Sequence, residues 1–256
     1  MPRSKVPGEP VWVELFTTDV DDAIRFYGGL FGWTHEVGGE EYGGYVTFLR
    51  EGHRVAGCMR NDGTQHTADN WGVYLETNDA AATVAMAEAN GGQALVEPIQ
   101  VGPLGHMAFV TDPGGATVGV WQPGEMAGTE DIGEVGAPGW FEVLTTDYDT
   151  VVAFYENVFG WVTHTMSDTA EFRYTTLGRD DDARAGIMDA ASLLEPQGSV
   201  WQFYVMVDDT DEAAARAVEL GGAEIAAAED TPYGRLAKLA DPAGVPFHVM
   251  GPVAAA

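Results

Sequence analysis

Apolar and polar residues alternate from Val11 to Thr17 (VWVELFT), the period-two signature of a strand with one face buried. Thr18-Asp19 then offers a helix cap, and Val20, Ala23, Ile24, Tyr27 and Phe31 recur at helical spacing on one face until Gly32 ends the run. Strands are predicted near 33–37, 44–50 and 54–60, separated by Gly-rich turns. A weaker copy of the same order opens at Gly72 (GVYLETND) and runs into an Ala-rich helix closed by Gly91-Gly92. It finishes in strands near 93–101, 104–111 and 116–121, with Asp112-Pro113-Gly114-Gly115 as a turn.

The whole of this pattern then repeats. Trp12–Trp33 (WVELFTTDVDDAIRFYGGLFGW) aligns without gaps on Trp140–Trp161 (WFEVLTTDYDTVVAFYENVFGW). Further along, Ala56-Gly57 matches Ala185-Gly186, Trp71 and Tyr74 match Trp201 and Tyr204, and Asp112-Pro113 matches Asp241-Pro242. The expected organisation is a first domain over residues 10–123, an acidic, Gly-rich linker over 124–138 and a second domain over 139–252, each domain holding two βαβββ units.

Composition narrows the function classes. Twelve Lys plus Arg face forty Asp plus Glu, a formal charge of −28 that repels nucleic acid and acidic membrane surfaces. A hydrophobic content of 45% supplies real cores, yet no apolar run has the length of a membrane span and no apolar stretch follows the first basic residues, so a cytoplasmic protein is expected. Cys58 is the single cysteine and aligns with Ile187, so an apolar slot explains it better than nucleophilic chemistry. His35, His53, His66 and His164 read as surface residues.

The F-Y pair at Phe26-Tyr27, F-G-W at 31–33 and D-P-G-G at 112–115 recur as Phe154-Tyr155, Phe159-Gly160-Trp161 and D-P-A-G at 241–244. Together they resemble the vicinal oxygen chelate superfamily of glyoxalases, bleomycin resistance proteins and extradiol dioxygenases, and more narrowly its tandem actinomycete members. The resemblance implies an α+β fold in which each pair of βαβββ units forms a curved half-barrel sheet with helices outside, enclosing a ligand cavity. Metal-using members place a His seven residues before the Asp capping the first helix, another at the matching place in the second unit, and a Glu seven residues after the turn Asp. Those positions here are Trp12, Gly72 and Gly119 in the first half and Trp140, Gln202 and His248 in the second. An indole N–H is a donor only, and a neutral amide with one imidazole is a thin donor set. No cofactor is therefore expected, although a divalent metal in the second domain stays open. Glu14, Glu142, Glu76 or His106 could complete a site if paired units exchange strands.

On the implied inward face, Trp12 and Trp140 either fill the place of a metal or form a wall on which a ligand stacks. Glu14 and Glu142 are either hydrogen-bonded structural carboxylates or general acid–base groups. Tyr74 and Tyr204 offer flat rings with one hydroxyl each, suited to an aromatic or polyketide-like ligand. His248 is either a satisfied strand histidine or a base. His106 and its counterpart Arg235 could meet an anionic group. The expectation is a metal-independent protein, monomeric or homodimeric, that holds a small apolar or aromatic molecule by sequestration or acid–base chemistry, with Glu14, Glu142 and His248 as catalytic candidates. The alternatives are a metal-dependent lyase or dioxygenase-like enzyme in the second domain and a non-catalytic pseudo-enzyme.

Overall fold

A computed structural model describes residues 6, 8–64, 67–194 and 198–253. The βαβββ order occurs four times. The first is β1 (Pro10–Thr17), α1 (Val20–Phe31), β2 (Thr34–Val37), β3 (Val46–Arg50) and β4 (His53–Arg60). The second is β5 (Asn70–Glu76), α2 (Ala80–Ala89), β6 (Gln93–Val101), β7 (Gly105–Thr111) and β8 (Thr117–Pro123). In the second half β9 (Pro138–Thr145), α3 (Tyr148–Phe159), β10 (Thr163–Asp168), β11 (Arg173–Leu177) and β12 (Ala185–Asp189) precede β13 (Val200–Met206), α4 (Thr210–Glu219), β14 (Ala223–Thr231), β15 (Gly234–Ala240) and β16 (Pro246–Gly251). The strands form two open eight-stranded sheets, in the orders β2-β3-β4-β1-β5-β8-β7-β6 and β10-β11-β12-β9-β13-β16-β15-β14. This is the α+β architecture that the alternation and the resemblance lead one to expect.

Local chemistry sets the helix ends. Asp19, Asp79 and Asp209 each accept a backbone N–H three residues on, from Asp22, Ala82 and Glu212, meeting one of the donors a helix start leaves bare. Gly32 and Gly160 stop α1 and α3 at φ of 71° and 70°, a left-handed conformation open to glycine without a Cβ penalty. No helix among the described residues is long and apolar enough to cross a membrane.

Contacts divide the chain into two compact units, each drawing one βαβββ repeat from each half of the sequence. The first unit holds Val73–Gly128, Phe141–Gln202 and the N-terminal residues up to Val11; the second holds Trp12–Gly72, Thr129–Trp140 and the chain from Phe203 onward.

Each unit has its own buried polar lock. In the second unit the Tyr27 hydroxyl donates to Asp241 (3.1 Å) and accepts from the Trp71 indole (2.9 Å). Phe26 beside it sets its ring edge-on to Phe247 at 5.9 Å, and a Cβ on Gly222 would meet the Phe26 ring at 2.9 Å. In the first unit Tyr155 donates to Asp112 (3.0 Å) and accepts from Trp201 (2.7 Å), while Gly92 makes room for Phe154. The recurring F-Y and D-P motifs are thus two ends of one interaction, in which the tyrosine of one half meets the turn aspartate of the other. Both carboxyls are pushed up, Asp112 to about 6, by burial above all, although backbone N–H groups in their own turns partly offset this.

Candidate functional site

In the second unit Trp12 and Glu14 project from β1 on the same side, because residues two apart in a strand share a face. Val13 and Leu15 take the opposite side and are fully buried. Tyr45, just before β3, joins the two polar groups. Its hydroxyl accepts the Trp12 indole N–H at 2.9 Å and donates to the Glu14 carboxylate at 2.6 Å. Gly57 pairs directly with Glu14 across β4 and β1, and a Cβ there would run into the Tyr45 hydroxyl. The glycine is what lets the ring lie across the strand. Burial, followed by the neighbouring Glu14 charge, pushes the Tyr45 hydroxyl well above its ordinary value, so it remains a proton donor.

The first unit builds the same device from the other half. Glu142 on β9 accepts from the Tyr174 hydroxyl at 2.6 Å and from the Gln202 amide at 2.8 Å. Gly186, its register partner, clears the space for Tyr174 as Gly57 does for Tyr45. Phe172 stacks on Tyr174 at 5.5 Å and fixes its plane. Tyr45 and Tyr174 were not singled out in the sequence, yet a signal was there: both stand at the start of the third strand of their repeat.

The remaining candidates separate by environment. Tyr74 is buried on β5, its ring over Gly119 and 5.1 Å from Phe109. Trp140 is half-buried on β9, and His106 is half-buried on β7 between Gln100 and Gln122 of the adjoining strands. Arg235 donates to Asp211 (2.8 and 2.9 Å) and to Asp230 (2.9 Å). Tyr204 and His248 are register partners on β13 and β16 with rings 5.1 Å apart. Burial, with the Lys238 ammonium adding to it, holds the His248 imidazole down to about 4 and therefore neutral. Like Tyr45 and Tyr174, Lys238 is a residue that no sequence motif marks.

Cys58 is fully buried, and burial pushes its thiol up to about 12. His35 and His53 are exposed, His164 is half-buried, and His66 lies outside the described residues.

The donor chemistry does not suit a divalent cation. The Trp12 N–H is engaged with Tyr45, Gly72 and Gly119 carry no side chain, the Gln202 amide donates to Glu142, and His248 faces an ammonium. Among the described residues no group of three or more His, Cys, Asp or Glu could hold a metal ion.

Comparison with known proteins places this geometry in a family. The glyoxalase/bleomycin resistance protein/dioxygenase superfamily matches residues 10–120, and a glyoxalase-like domain family matches residues 140–250. Over 250 residues the chain is 36% identical to CFP32 of Mycobacterium tuberculosis, provisionally named a glyoxylase, with 96% of this chain and 95% of that protein covered. It is 35% identical over 272 residues to the anthracycline biosynthesis protein DauV of Streptomyces sp. (strain C5), covering 95% of this chain and 93% of that one. Among solved structures, a Mn(II)-bound glyoxalase from Novosphingobium aromaticivorans superimposes with a TM-score of 0.65 at 18% identity, covering 96% of this chain and 82% of that one. The 2,3-dioxygenase LapB from Pseudomonas sp. KL28 gives 0.67 at 10%, covering 96% and 93%. At such identities the structural likeness concerns fold alone. By sequence match across nearly its whole length, the chain belongs to the glyoxalase/bleomycin resistance protein/dioxygenase (vicinal oxygen chelate) superfamily, in its tandem two-domain form.

Proposed function

We propose that the protein binds a small aromatic molecule and handles protons on it without a metal, using Glu14 and Glu142 as the carboxylates and Tyr45 and Tyr174 as their hydroxyl partners. The observation that carries this reading is the 2.6 Å tyrosine–glutamate pair present in both units. A carboxylate held this closely by a hydroxyl donor is fixed in orientation, and proton transfer requires a positioned carboxylate. In the second unit the pair includes Trp12, where the family's metal-using members keep their first histidine. Aromatic ligands suit the tyrosines and tryptophans beside these carboxylates, and the naming of a full-length relative for anthracycline biosynthesis points the same way.

Equilibrium dialysis against 1,8-dihydroxyanthraquinone, as a stand-in for a fused aromatic ligand, tests the binding arm. Wild-type protein is expected to bind it stoichiometrically, and Glu14→Gln and Glu142→Gln to keep its affinity within about threefold while losing any conversion of the compound. Absence of binding to wild-type protein removes the reading.

A further inference from the structure

The chain contains only two lysines, Lys5 and Lys238. Lys238 stands on β15 of the second unit, half-buried, between the buried Ala237 and Leu239. Those neighbours face the side on which α4 packs, so Lys238 points to the other side of the strands. Directly across β16 its register partner is His248, and His248 is in turn the partner of Tyr204 on β13. One row therefore runs Tyr204, His248, Lys238 over three strands. The next row on the same face is Met206, Met250, Leu236, fixed by the same registers. Five of these six side chains are half-buried, neither core nor open surface, and Tyr204 is buried.

The row is chemically unusual for this chain. Acidic residues number forty, yet among the described residues Lys238 has neither an ion-pair nor a hydrogen-bond partner. Arginines of the same half-buried class, by contrast, are paired: Arg173 meets Asp149 and Asp168, and Arg235 meets Asp211 and Asp230. The Lys238 ammonium, on a half-buried residue beside a neutral imidazole, therefore stands without the carboxylate partner that this acidic chain gives most of its other cations. The duplication supplies an internal control. In the first unit the matching row is Tyr74, Gly119, Phe109, where the Tyr74 ring lies over the glycine and against Phe109 and no charge is present.

We infer that the Tyr204–His248–Lys238 row is an anion-reading subsite, which takes the carboxylate or ionised phenol of an aromatic ligand while the Met206–Met250–Leu236 row receives its ring. This rests on the aromatic-binding reading above and adds the charge of the ligand to it. The ammonium supplies the counter-charge, and His248, held neutral by its surroundings, offers a ring nitrogen that accepts or donates one hydrogen bond without adding a second cation. The methionines give the adaptable apolar contact that a flat ring needs.

Two fluorescent probes with the same aromatic frame separate charge from ring. They are 8-anilino-1-naphthalenesulfonate, an anion, and N-phenyl-1-naphthylamine, which lacks the sulfonate. A protein of charge −28 repels the anion in general, so tighter binding of the sulfonate, measured at 0.3 M salt (roughly a 6 Å screening length), reports a local site. Wild-type protein is expected to prefer the sulfonate by about tenfold, Lys238→Met to lose that preference while keeping the neutral probe, and Lys238→Arg to retain it. Equal affinity of wild-type protein for the two probes, a preference that survives Lys238→Met, or its loss in Lys238→Arg overturns the inference and leaves aromatic binding standing. Failure of wild-type protein to bind either probe overturns both.

Discussion

The hydroxyl of Tyr45 serves two neighbours at once, accepting from Trp12 and donating to Glu14, so its removal takes the acceptor from a buried indole N–H and one donor from the carboxylate. Tyr45→Phe is expected to lower stability by about 1–3 kcal/mol, read by urea unfolding, because an unmet buried polar group costs more than the bond it made. Gly57→Ala places a methyl where the hydroxyl sits and is expected to cost about 1–3 kcal/mol by overpacking. The two changes share one volume, so the double variant should be less destabilised than the sum of the singles. Strict additivity would mean that the ring does not occupy the space over Gly57. The strand alternation made the common face of Trp12 and Glu14 legible. Tyr45 and Lys238 were not, since neither falls on a counted family position and Lys238 reads as an ordinary strand residue until the register sets it beside His248.

At the scale of elements, α1 is tied to the turn before β16 by Tyr27 and Asp241, and α3 to the turn before β8 by Tyr155 and Asp112. Helix and strand positions were readable from periodicity and from the capping aspartates and glycines. These ties were not, because each joins a tyrosine of one half to an aspartate of the other, far apart along the chain, and no local pattern pairs them. They also carry a pH dependence. Asp112 rises from 3.8 to about 6 on folding, so its contribution to stability is complete below 3.8 and is lost as pH climbs through about 6. The loss amounts to about 3 kcal/mol. His248 works in the opposite sense: neutral in the fold, it destabilises the protein as pH falls from 6.5 through about 4. The difference in unfolding free energy between wild-type protein and Asp112→Asn isolates the first effect. It should shift against the wild type by about 2 kcal/mol from pH 4 to 7, and a difference independent of pH would contradict a carboxyl whose pKa is raised on folding.

For the whole molecule, the interleaving of the two halves has a direct consequence. Each compact unit needs one βαβββ repeat from either side of residue 128, so a chain ending there lacks half of both units. Residues 1–128 expressed alone should not sediment as a folded monomer, and a monomeric, cooperatively unfolding half would contradict the division. The central claim is that this superfamily member works on a small aromatic molecule with tyrosine–glutamate pairs rather than a metal. Its most direct measurement is the affinity for 1,8-dihydroxyanthraquinone before and after exhaustive chelation, with metal content determined on the same samples. The account predicts an unchanged affinity at negligible metal content. Loss of binding on chelation, restored by stoichiometric manganese or zinc, would contradict it.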